Sequence, residues 1–96
     1  MAKKFLRIRV GPYTYRQRWV PEKLLEERQA YAMVDLRRRS ILLADTCDYD
    51  RAVENLIHEV VEIVNHQYEL DLEHWKINTM GLGIAQALMP IIKRWW

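Results

Sequence analysis

The hydrophobic period of the chain changes once, at Asp48, and that change constrains the fold more than any single motif. Before it, apolar residues recur every second position. In "FLRIRVG" Leu6, Ile8 and Val10 alternate with Arg7 and Arg9, the pattern of a strand with one wet face. Gly11-Pro12 punctuates the run, and "YTYRQRWV" resumes it with Tyr13, Tyr15, Gln17 and Trp19 on one side until Pro21. "PEKLLEERQ" places a proline and early glutamate ahead of good helix formers, which predicts a short helix or helical turn. In "AYAMVDLRRRSILLADT", two β-rich runs, Tyr31 to Leu36 and Ser40 to Ala44, flank a basic turn and predict a hairpin.

After Asp48 the period is that of a helix. Val53, Leu56, Ile57, Val60, Val61, Ile63 and Val64 fall on one side of a 3.6-residue wheel, with Asp48 or Asp50 as the cap. A break near "YELDLEH" precedes a second helix marked by Ile77, Met80, Ile84, Leu88 and Ile91, whose last turn Pro90 should disturb. Gly81 and Gly83 are poor helix formers and point to close backbone contact or a shortened helix. The order predicts one α+β domain over residues 1–96. Its antiparallel sheet of three to four strands occupies the β-rich half, 1–45. Two helices packed on one face of it form the half 48–96.

Composition narrows the function classes. Half the residues are apolar and 29% are charged, as in ordinary globular domains with one modest core. The single cysteine, Cys47, excludes an internal disulfide and reads as a packing residue. No apolar stretch is long enough to span a bilayer, and no leader pattern opens the chain, so a cytoplasmic setting without membrane contact is the expectation. Net charge is only +2, and Arg37-Arg38-Arg39 reads as a solvated hairpin tip, so no nucleic-acid partner is expected. Trp95-Trp96 should fold back over the core.

The chemistry concentrates in "NLIHEVVEIVNH", residues 55–66. About 100° per residue puts Glu54, His58, Glu62, Asn65 and His66 opposite the apolar stripe. On its own such a face is a solvated one with His–Glu pairs at helical spacing. The spacing also permits a metal site. His58 and Glu62, one turn apart, can hold one ion at about 2 Å from each donor. Glu59 then stands beside the first ligand, in the position of the general base of H-E-x-x-H, where zinc lowers the pKa of a coordinated water to about 7. His66 lies about 12 Å along the axis from His58 and cannot share its ion. His74, in the "ELDLEH" turn, can close the site if the second helix folds back.

Residues 30–88 resemble the minimal zincin-like metallopeptidases, small bacterial and phage-encoded proteins. "NLIHEVVE" resembles their active-site helix, "LDLEH" the loop carrying the third ligand, and "GIAQAL" the closing helix. The resemblance implies one zinc ion held by His58, Glu62 and His74, with Glu59 as catalytic base for hydrolysis of a peptide or protein. It implies a bacterial or phage-infected cytoplasm. Glu62 departs from the usual pattern, which has histidine there. The alternative is a non-catalytic phage or bacterial interaction protein of the same fold whose metal site is degenerate or structural.

Overall fold

The structure is a computed structural model, and it describes residues 4–26 and 32–96. The alternating stretch forms β1 (Arg7–Val10) and β2 (Tyr13–Val20), paired antiparallel with Arg7 opposite Arg16 and Val10 opposite Tyr13. Gly11 makes their turn at φ 59°, in the left-handed region, and a Cβ there would run into the Gln67 amide and the Tyr68 hydroxyl. That amide also donates to the Val10 carbonyl at 3.0 Å and ties the turn to the far end of the first long helix.

A single helical turn, α1 (Lys23–Glu26), buries Leu25. The predicted continuation of this turn to Gln29, and the start of the next strand at Tyr31, lie outside the described residues. The hairpin follows as β3 (Ala32–Asp35) and β4 (Ser40–Ala44). Its basic turn is held by the Asp35 carboxylate, which accepts from the Arg38 amide at 3.1 Å.

The sheet order is β1-β2-β4-β3, with β4 parallel to β2 and Arg16 opposite Ser40. A purely antiparallel sheet was expected, and the observed one is mixed. Both hairpins form as expected; what differs is how they join. The chain reaches the far edge at β3 and turns back through Leu36 to Arg39, so β4 rather than β3 fills the place beside β2.

One face of the sheet carries Val10, Tyr15, Ile41 and Leu43 and is covered by α2 (Tyr49–Gln67), which buries Ala52, Val53, Leu56, Ile57 and Ile63. Asp48, not Asp50, caps this helix: its carboxylate accepts from the Arg51 amide at 2.8 Å. Cys47, just ahead of it, is buried in the core, as expected of a packing residue. Beyond Tyr68 the chain reverses through Glu69 and Asp71, both at positive φ. Then α3 (His74–Trp95) runs back along α2.

Two features of α3 differ from expectation. The helix continues through Pro90 to Trp95. Pro90 and Gln86 are both exposed, so water can serve the Gln86 carbonyl left without its helical donor. The buried face consists of Ile77, Gly81 and Ala85, whereas Met80, Ile84, Leu88 and Ile91 remain exposed. At the end of α3, Trp96 folds back and Trp95 does not: Trp96 is 8% exposed and Trp95 73%. Among the described residues no helix is long and apolar enough to cross a membrane.

Candidate metal centre

The face of α2 opposite its apolar stripe is not left to solvent, because α3 crosses it. At the crossing, a Cβ on Gly81 would lie 3.3 Å from the His58 Cα, so the absence of a side chain at Gly81 lets the two backbones approach. His58, Glu59, Glu62 and Asn65 are half-buried, while His66 is exposed.

Three of the expected residues come together. Glu62 Oε1 lies 3.5 Å from His58 Nε2, its neighbour one turn back, and 3.7 Å from His74 Nδ1 at the start of α3. The two imidazole rings meet edge to face with centroids 6.0 Å apart. His58 also borders a shallow cleft of about 170 Å³ formed with Glu54, Asn55, Asn78 and Leu82. His66 instead lines a separate cavity with Tyr13, Tyr15, Leu36, Arg39, Gln67 and Glu69.

The placement of His74 depends on a residue to which the sequence reading gave no role. Asn65 accepts from the Leu70 amide through its carbonyl at 3.0 Å and from the Leu72 amide through its side-chain Oδ1 at 2.8 Å. Those bonds fix the reversal that returns the chain to Glu62. An asparagine near the end of a helix, before a polar break, is a turn signal that could have identified it.

Glu59 stands apart electrostatically. Burial raises its carboxyl from 4.5 to about 7, and the adjacent negative charge of Glu62 adds to the shift. A carboxyl shifted in this way can exchange a proton near neutral pH.

Two imidazole nitrogens and a carboxylate oxygen are a donor set that suits zinc. The separations exceed the roughly 3.3 Å that two donors keep on one tetrahedral zinc ion, and the one to His74 exceeds it by more. Among the described residues no group of three or more His, Cys, Asp or Glu side chains is already disposed to hold a metal ion. The His74 side chain is 73% exposed. No family model, curated protein or solved structure matches this chain.

Proposed function

We propose that the protein is a minimal zinc-dependent metallopeptidase in which His58, Glu62 and His74 hold one zinc ion and Glu59 is the catalytic base. The observation that carries this reading is the convergence on Glu62 Oε1 of two imidazoles from different helices. Bound zinc supplies Lewis acidity toward water and toward the scissile carbonyl. The Glu59 carboxylate takes the proton of the attacking water and passes it to the departing amine, a role suited to a group titrating at about 7. The edge strand β3, which among the described residues pairs with β4 alone, offers its outer side to an extended peptide. The proposed setting is the bacterial or phage-infected cytoplasm.

A second reading draws on Glu62. An anionic ligand in place of a histidine reduces the effective charge of the ion and its power to acidify water, which suits a structural site on a non-catalytic interaction protein. Calorimetric zinc titration of tag-free protein tests the site. His74→Ala and Glu62→Ala should each weaken binding at least tenfold, and His66→Ala should leave it unchanged. Peptide-library cleavage abolished by Glu59→Gln with zinc binding intact supports the peptidase. Zinc binding without any cleavage supports the second reading, and wild-type protein that takes up no zinc removes both.

A further inference from the structure

Helix α2 covers one face of the sheet, and the β1–β2 half of the other face exposes a cluster of arginines. Arg7, Arg9, Arg16 and Arg18 all point away from the helices and are exposed, because they alternate with the buried or half-buried Ile8, Val10, Tyr15, Gln17 and Trp19. In sequence these arginines look like the separate wet positions of two amphipathic strands. Strand pairing makes them one surface, with Arg7 directly opposite Arg16.

Like charges opposite each other across a sheet destabilise it. Residues 1–21 contain six Lys or Arg and no Asp or Glu. Among the described residues Arg7, Arg16 and Arg18 form no ion pair. The run Arg37 to Arg39 lies apart from this surface: Arg39 stacks over the Tyr13 ring at 4.1 Å, on the side of the sheet that carries α2.

A second feature gives the surface more than charge. Phe5 is 65% exposed and, with Arg16, Gln17, Arg18 and Trp19, lines a cavity of about 410 Å³. A solvated face has no use for an exposed phenylalanine among arginines. A chain of phosphates carrying flat bases does: guanidinium groups pair with phosphate in two-pronged fashion, and aromatic rings and guanidinium planes stack on bases.

We infer that the outer face of β1 and β2 binds single-stranded nucleic acid, with Arg7, Arg9, Arg16 and Arg18 on the phosphates and Phe5 stacked on a base. An open sheet face with an aromatic platform suits unpaired bases, which a duplex keeps stacked inside. The contacts named are to phosphates and a base, which DNA and RNA share, so strands of either kind should bind alike. The site lies across the sheet from His58 and Glu62 and does not depend on zinc.

Fluorescence anisotropy with labelled oligothymidylate and oligouridylate of about 20 nucleotides, between about 50 and 200 mM salt, tests the assignment. Arg7→Gln with Arg16→Gln should weaken binding at least tenfold at low salt. It should also flatten the dependence of log affinity on log salt by about 1.4, two phosphate contacts on a single strand. Because that double variant relieves a like-charge opposition, its melting temperature should equal or exceed that of the wild type, so lost binding cannot be assigned to unfolding. Phe5→Ala should weaken binding about fivefold without changing the salt slope. The charge-matched pair Lys76→Gln with Arg94→Gln on α3, and Glu62→Ala, should bind as wild type. The inference is overturned if neither oligonucleotide binds, or if the α3 pair loses as much as the β1–β2 pair. It is equally overturned if duplex of the same length binds at least as tightly, or if phosphatidylserine vesicles are bound and oligonucleotides are not.

Discussion

Burial holds the Glu59 carboxyl at about 7, with Glu62 adding to the shift, and that has a consequence for stability that needs no substrate to observe. The unfolded carboxyl titrates near 4.5, so between that pH and about 7 the folded chain keeps a proton that the unfolded chain has lost. Stability from this group is therefore complete below pH 4.5 and lost as pH rises through 7. Glu59→Gln cannot ionise and escapes the loss. In chelator-treated protein the variant should gain on the wild type by on the order of 1–3 kcal/mol between pH 4.5 and pH 8. Urea denaturation at several pH values measures the difference, and a difference independent of pH would show that the carboxyl is not held neutral by the fold. The identities of His58, Glu59, Glu62 and His74 as candidates were legible in the sequence, because H-E-x-x-E and the following L-D-L-E-H are local strings. The burial of Glu59 was not, because burial is set by tertiary packing, which no local string records.

The crossing makes two glycines of one helix behave differently. A Cβ on Gly83 meets nothing within 4 Å, so Gly83→Ala should stabilise by about 0.5–1 kcal/mol through helix propensity alone. A Cβ on Gly81 would sit 3.3 Å from the His58 Cα, part of a helix backbone that yields only if the helices separate. Gly81→Ala should therefore melt below Gly83→Ala, and, by shifting His74 relative to Glu62, should bind zinc more weakly. Equal melting temperatures and equal zinc affinities for the two variants would mean that the crossing is not tight. Asn65→Ala should act at the other end of the same pair of helices. It strips the Leu72 amide of its acceptor in a half-buried turn, costing about 1–3 kcal/mol, readable as a lowered urea midpoint. As elements, β1, β2, the β3–β4 hairpin and α2 could be read from hydrophobic period, as could the existence of α3. The face of α3 could not. Met80, Ile84, Leu88 and Ile91 dominate its pattern, yet the small Gly81 and Ala85 are what let it approach α2, and hydrophobicity gives small residues little weight.

At the scale of the whole molecule, the mixed sheet and the attachment of α3 are the two features that sequence patterning missed in part, and both are long-range. Pairing β2 with β4 rather than β3 leaves every strand with the same alternation, so period alone cannot distinguish the two arrangements. The far end of α3 is joined to the sheet through Trp96. Its ring stacks on Trp19 with centroids 4.9 Å apart and meets Tyr49 edge-on at 6.0 Å, and its indole N–H donates to the buried Gln17 Oε1 at 3.2 Å. The same oxygen accepts from the Leu6 amide at 3.1 Å, so one buried side chain receives both the approach to β1 and the end of α3. Trp96→Ala should consequently cost about 3–5 kcal/mol, a large part of the stability of a domain this size. Trp95→Ala, one residue away on an exposed ring, should cost less than about 0.5 kcal/mol. Trp96→Phe keeps an aromatic ring but loses the indole N–H, and should fall between them. Chemical denaturation ranks the three, and native-state hydrogen exchange localises the effect: in Trp96→Ala the amides from Met89 to Trp95 should lose protection before those of β2 and β4. Equal costs at Trp95 and Trp96, or protection lost uniformly across sheet and helix, would show that the last turn of α3 is held by its contacts with α2 and not by this aromatic junction.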